Sequence, residues 1–312
     1  MADKIATRES YGNVLKEMGA VKKDLIVMDA DLSGSTKTGV FAKEYPDRFF
    51  NMGIAEQNMY GYAAGLALSG KTVCASTFAM FASGRAYEII RNSIGYTKAN
   101  VKICATHAGI TVGADGASHQ TFEDISLMRN IPGMTVINPS DDTSARALLK
   151  QAIEMQGPCY VRLGRAAVPV FYGDDADLQI GKGNCIREGK DLTIIATGIM
   201  VSKAVAAAET LAAKGIDARV IDIHTIKPID RDIIIKAAKE TGRIITVEEH
   251  NVIGGLADAV SEVVTAECPV KITRIGVQDC FGYSGPAWEL LDLFGLTQPH
   301  IARVIREVVN EK

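Results

Sequence analysis

The chain has 312 residues, of which 47 % are hydrophobic and 23 % charged, and its 34 Lys and Arg set against 37 Asp and Glu give a formal net charge of -3. That length accommodates about two domains at roughly 150 residues each, and the composition excludes a disordered chain. The interspersed charge removes any electrostatic case for nucleic acid or an anionic membrane, while the opening MADKIATRESYGNVLKEM carries no signal-peptide apolar region, so a soluble, cytoplasmic protein is expected.

In chain order, the β-branched runs DLIVMD (24–29), KTVCAS (71–76), VKICAT (101–106), MTVINP (134–139), YVRL (160–163), DLTIIAT (191–197), DARVIDI (217–223), RIITVEE (243–249) and VKITRI (270–275) read as strands separated by helical patterns. Near-continuous apolar strands alternating with helices predict an α/β fold of parallel sheets covered on both faces. Asn138, Pro139 and Ser140 offer an N-cap to the helix in DDTSARALLKQAIEMQG, which has acidic residues in its first turn and a terminal glycine. From Gly164 to Lys190 no period is sustained and Gly, Pro and Asp accumulate. This places a boundary near residue 180, between a first unit (1–170) and a second (191–312) joined by a linker (171–190). The six cysteines, Cys74, Cys104, Cys159, Cys185, Cys268 and Cys280, show no metal-ligand spacing and read as buried, reduced thiols.

Ligands bind outside the carboxyl ends of strands in open parallel sheets, and three unusual segments of the first unit fall at such ends. After the first strand comes DADLSGSTKTG, where Ser33 to Thr38 superficially suggest a phosphate cradle without the Walker order of glycines and lysine. After the second comes STFAMF, whose Phe78 and Phe81 sit three residues apart; burial in the core and a wall for a planar ring are equally compatible with that spacing. After the third comes THAGITVGADGASHQ, with His107, Asp115 and His119 among three glycines. Two histidines and a carboxylate on one aperiodic loop favour acid/base or oxyanion-binding work over a metal site. Glu56 opens a helix rich in small residues (Gly61, Ala63, Ala64, Gly65, Ala67) that suits a close helix contact or a subunit interface; taken alone, Glu56 equally serves the helix dipole.

The ordered motifs ATR (6–8), DADLSGS (29–35), GIAEQN (53–58), STFAMF (76–81), THAGITVGADGASHQ (106–120) and RLGR (162–165) resemble the C-terminal half of transketolase, and more closely the separately encoded C-terminal subunit of split transketolases. The resemblance implies a thiamine-diphosphate pyrimidine-binding domain followed by a transketolase C-terminal domain, two α/β sandwiches. It implies an enzyme that moves a two-carbon ketol unit from a ketose phosphate to an aldose phosphate. Glu56 would hydrogen-bond N1′ of the cofactor's aminopyrimidine, Phe78 and Phe81 would pack around that ring, and Asp31 would lie close to the cofactor. His119 would assist proton transfer at substrate oxygen and Asp115 would recognise a sugar hydroxyl. Arg8, Ser35, His107 and Arg165 match the family's sugar-phosphate pocket, with Arg162 an alternative to Arg165.

Where many transketolases carry a third aromatic three residues after the second phenylalanine, this chain has Gly84, then Arg85, Ala86 and Tyr87, so Tyr87 is the candidate for completing the ring wall. AGITVGADG also resembles the loop of deoxyxylulose-phosphate synthase, although His107 stands where that synthase usually has an acidic residue. A 2-oxo acid dehydrogenase β subunit is a further alternative, and a non-catalytic regulatory paralogue is one of another class. No GDG followed by a suitably spaced Asn is present. The diphosphate and Mg²⁺ would therefore be held mainly by an N-terminal partner subunit, in an expected α2β2 assembly. In VEEHN, Glu248, Glu249 and His250 have no assigned role, and the C-terminal unit is expected to be structural and dimer-forming.

Overall fold

Alternate side chains of the first unit's strands are apolar on both faces, and the chain covers both. The structure, a computed structural model, describes residues 3–310, so the outermost positions of the expected units, 1–2 and 311–312, lie outside the described residues. Val27, Cys74, Cys104 and Val161 face Tyr11, Val14, Leu15, Leu148 and Leu149 of the helices Thr7–Val21 and Asp142–Glu154. Ile26, Met28, Val73, Ala75 and Ile103 turn the other way, onto Met59, Tyr60, Ile90 and Ile94. Each fully buried large apolar side chain contributes roughly 1.5–3 kcal/mol, so the period of two along these strands fixes which helices pack where.

The first sheet has seven strands in the order Thr225–Lys227, Thr135–Ile137, Cys159–Arg162, Val101–Thr106, Thr72–Phe78, Leu25–Asp29, Phe49–Asn51. The second has five, in the order Lys271–Val277, Arg243–Asn251, Leu192–Ala196, Ala218–Asp222, Asn184–Arg187. All nine expected strands are present, and their mutual pairings are parallel. Three edge strands of these sheets were not expected from the sequence, one of them Phe49–Asn51, which pairs parallel with Leu25–Asp29. Asn184–Arg187 pairs antiparallel with Ala218–Asp222, so the segment expected as a linker closes one edge of the second sheet. Thr225–Lys227 crosses from the second unit and pairs antiparallel with Thr135–Ile137, so the first sheet is finished by residues far beyond residue 180.

The helix after the 134–139 run begins where the acidic residues predict, but its cap is Asp141. Its Oδ1 accepts the Ser144 N–H at 2.8 Å, and Ser144 Oγ accepts the Asp141 N–H at 3.0 Å, a reciprocal capping box. Three cysteines, Cys74, Cys104 and Cys159, are buried as expected, whereas Cys268 is half-buried and Cys185 and Cys280 are exposed. The last two lie on an edge strand and in a loop, which leave them open to solvent. No helix among the described residues is long and apolar enough to cross a membrane.

Candidate active site

The expected site residues gather at the carboxyl ends of the first sheet's strands. At the end of Leu25–Asp29 the chain turns through Asp31, which has φ 64° and lies exposed. Its N–H donates to Asn51 Oδ1 at 3.1 Å and its carboxylate accepts from Asn51 Nδ2 at 2.8 Å, which ties the loop to the neighbouring strand. Thr36 and Thr38 donate their hydroxyls to the buried Asp29 carboxylate, at 2.6 and 2.9 Å. Those hydroxyls are thereby used internally, and the Ser33–Thr38 loop is a folded turn on Asp29 instead of a phosphate cradle.

Glu56 is the first residue of the helix Glu56–Leu68 and is 2 % exposed. Arg85 Nη1 lies 3.1 and 3.0 Å from its two carboxylate oxygens, and the Arg85 guanidinium also covers the Phe81 ring at 4.5 Å. Phe78 ends its strand while Phe81 lies in the following helical turn, so the three-residue spacing does not put the two on one helical face. Their rings still run nearly parallel, 14° apart in tilt and 6.0 Å between centroids. Phe81 and Arg85 are four apart on a helical turn and stack on one side. Tyr87, two residues further round, packs into the apolar core, so the group beside Phe81 is Arg85. This arginine was visible in the sequence as an i+4 neighbour of Phe81, but its role went unread.

His107 is 3 % exposed, has φ 57° and stacks on Phe78 at 3.9 Å. Its Nε2 lies 3.3 Å from Arg8 Nη1, and its Nδ1 lies 2.9 Å from Thr106 Oγ1. Arginine can only donate, so Nε2 accepts and the neutral ring carries its proton on Nδ1, toward Thr106. Burial first, then the charges of Arg8 and Arg165, push the His107 pKa down to about 3. Arg8 Nη1 also donates to the Ser35 carbonyl at 3.0 Å, so His107 and the Ser35 backbone together aim Arg8. The half-buried His119 stands edge-on to Phe81 at 5.3 Å and to Phe78 at 6.3 Å, with Nδ1 3.0 Å from Ser118 Oγ. Glu56, Phe78, Phe81, His107 and His119 thus form one connected corner.

Asp115 and Arg165 lie beside it, 3.9 Å apart and both well exposed. Arg165 also donates to the Val112 carbonyl. Arg8 and Arg165, with Lys4, which the sequence did not single out, line a cavity of about 520 Å³ whose opposite wall is formed by Gly285 to Trp288 of the C-terminal unit. Arg8 Nε is buried there with no hydrogen-bond partner among the described residues. A dianion suits such a cluster, because arginine forks bind phosphate oxygens with fixed geometry. Arg162 does not compete with Arg165 for this cavity. It is 3 % exposed and donates to Asp124 at 2.8 Å and to the Glu249 carbonyl at 2.9 Å. A larger hollow of about 700 Å³, between Lys271–Val277 and the last helix, holds none of these residues.

Residues 3–170 match the family described as "Transketolase, pyrimidine binding domain", and residues 181–301 match "Transketolase, C-terminal domain". The chain belongs to the transketolase family. In transketolases the pyrimidine-binding domain is the thiamine-diphosphate-binding domain. The chain is 41 % identical to a 6-deoxy-6-sulfo-D-fructose transketolase subunit of Clostridium sp. (strain MSTE9), over 98 % of this chain and 95 % of that protein. It is 38 % identical to Homo sapiens transketolase, spanning the whole of this chain and 50 % of that protein. Among solved structures it resembles a split gene transketolase, in the form of an inactive beta4 tetramer, with TM-score 0.91 and 52 % identity over 98 % of each chain. The resemblance to split transketolase C-terminal subunits therefore extends over both domains and the whole α/β architecture.

Proposed function

We propose that this chain is the C-terminal subunit of a split transketolase that transfers a two-carbon ketol unit between sugar phosphates, and that it acts only with an N-terminal, diphosphate-binding partner. The observation that carries the reading is the corner in which a buried carboxyl, Glu56, adjoins a near-parallel pair of phenyl rings and two histidines, next to an arginine-lined cavity.

That corner fits the aminopyrimidine of thiamine diphosphate. Glu56 offers a carboxyl to a ring nitrogen, and Phe78 with Phe81 offers a flat apolar wall. When bound, thiamine diphosphate supplies the electron sink that lets a carbon–carbon bond beside a carbonyl break. The chain's own groups do the rest. Glu56 holds or shares a proton at the ring nitrogen, with Arg85 its ion-pair partner when no ring is there. His119 moves a proton at the sugar oxygen. Asp115 accepts a hydrogen bond from a sugar hydroxyl, and Asp31 borders the cofactor from the neighbouring loop. Arg8 and Arg165, helped by Lys4, neutralise the terminal phosphate, while His107 and Ser35 orient Arg8.

Mg²⁺ and the diphosphate are assigned to the partner, in an α2β2 assembly. The helix Glu56–Leu68 supports a partner on this side: a Cβ at Gly61 or Gly65 would meet nothing within 4 Å, and Tyr62 beside them is 59 % exposed. Xylulose 5-phosphate and pyruvate, each offered to the reconstituted pair with an aldose phosphate acceptor, separate this reading from a synthase or a 2-oxo acid dehydrogenase. Ketol transfer from the sugar is expected, and pyruvate consumption would contradict it.

A further inference from the structure

The loop that bears His107, Asp115 and His119 is held from both domains. His107, Gly109, Gly113 and Gly116 all have positive φ, and within the first domain the Val112 carbonyl accepts from Arg165 while Gln120 Nε2 donates to Gly113 O at 3.2 Å. The loop also rests on the C-terminal domain. The N–H of Thr111 donates to Glu249 Oε1 at 2.7 Å, across the domain junction. Gly109 lies directly on that carboxylate: a Cβ there would fall 2.3–2.6 Å from its carbon and both its oxygens. Further along, Gln120 Nε2 donates to Tyr283 O at 2.9 Å, and Ser284 Oγ donates to Ala114 O.

Glu249 is 4 % exposed, on the strand Arg243–Asn251. A buried carboxylate is retained only where its charge and lone pairs are met. Burial pushes the Glu249 carboxyl up and the nearby Arg162 charge opposes this, although Arg162 itself donates to the Glu249 backbone carbonyl at 2.9 Å and holds Asp124 at 2.8 Å. One carboxylate oxygen meets the loop. Accepting an amide N–H is a charge-assisted hydrogen bond in a dry setting, stronger and more directional than a neutral one. It fixes Thr111, which lines the arginine cavity, four residues before Asp115.

We infer that Glu249 is a positioning residue for sugar binding: the C-terminal domain, through this carboxylate, sets the backbone of residues 109–115 and with it the placement of Asp115 and the cavity wall. This rests on the proposed transketolase reading for its catalytic consequence, though not for the placement itself. It gives the C-terminal domain a part in substrate recognition.

The test uses the full chain, alone and reconstituted with its partner. In Glu249→Ala, amides of residues 109–116 are expected to exchange with deuterium about 10- to 100-fold faster, the worth of one charge-assisted hydrogen bond, while strand Val101–Thr106 keeps its protection. In the reconstituted complex, KM for the ketose phosphate is expected to rise by a similar factor, with thiamine diphosphate affinity unchanged. Glu249→Gln, whose amide oxygen still accepts from Thr111, should restore both. Unaltered exchange across 109–116 overturns the inference, and so does a variant whose KM and cofactor affinity worsen together. If the alanine variant does not fold, Gly109→Ala, which pushes the loop off the carboxylate, takes its place with the same two readouts. A wild-type complex inactive on sugar phosphates would defeat the functional reading, while the exchange experiment still decides the placement.

Discussion

His107 shows how burial selects a role. An imidazole with ordinary exposure changes charge near pH 6.5, but stacked on Phe78 and facing Arg8 it is pushed down to about 3. In the proposed phosphate site its part is therefore that of a fixed acceptor that aims Arg8. The ring is expected to stay neutral, with ¹⁵N shifts flat from pH 8 to 5; a titration midpoint near 6.5 would show that the stack and the Arg8 contact do not exist in solution. Glu56 is the opposite case, a carboxyl whose partner Arg85 is 48 % exposed and so displaceable by a ligand. Glu56→Gln in the reconstituted complex should lower kcat by about 100-fold or more, the usual worth of a positioned proton-transfer group, with the fold intact. Undiminished turnover would remove Glu56 from the chemistry.

At the level of elements, Asp141 does more than its capping box requires. While Oδ1 caps the helix Asp142–Glu154, Oδ2 accepts the N–H groups of Phe171 and Tyr172, each at 3.0 Å. Asp141→Ala should cost about 2 kcal/mol or more, the cap plus the bonds to the connecting segment; chemical denaturation reads this, and a loss below about 0.5 kcal/mol would mean that water replaces those bonds. The nine expected strands were legible because their runs are apolar on both faces, as two covered faces demand. Asn184–Arg187 and Thr225–Lys227 were not, since their mixed polarity carries no such signal and their pairing is decided by the strand they meet. The geometry of the proposed site was legible where motifs stand in line: Arg8, Glu56, Phe78, Phe81, His107 and His119 converge. Arg85 displaced Tyr87 from beside Phe81 through helical spacing, and Glu249 was unreadable because an acid in an apolar strand declares its partner only once the other domain is in place.

On the scale of the whole molecule, the two domains are joined through buried polar groups. Arg162, paired with Asp124 inside the first domain, makes one such link, since its Nη2 donates to the Glu249 carbonyl of the second at 2.9 Å. Burial works against the Asp124 charge, but the adjacent Arg162 guanidinium holds its carboxyl below the ordinary range. Asp222 forms another, accepting from Ser140 at 2.6 Å and Tyr172 at 3.0 Å. Burial raises its pKa to about 7 from 3.8. The folded chain then keeps a proton that the unfolded chain has released. This contribution is complete below the unfolded value and is lost as pH rises through the folded one. The stability advantage of wild type over Asp222→Asn should accordingly shrink between pH 4 and 7, by on the order of a few kcal/mol; an advantage that grows over that range would refute the assignment.

Across both domains, the chain is proposed to supply the pyrimidine and sugar side of a site and to need a second subunit for the rest. That requirement is tested most directly by assaying ketol transfer from a ketose phosphate to an aldose phosphate with thiamine diphosphate and Mg²⁺, for the purified chain alone and after addition of the N-terminal subunit. Negligible turnover alone and robust transfer by the pair are expected; equal turnover without the partner would overturn this division of the site.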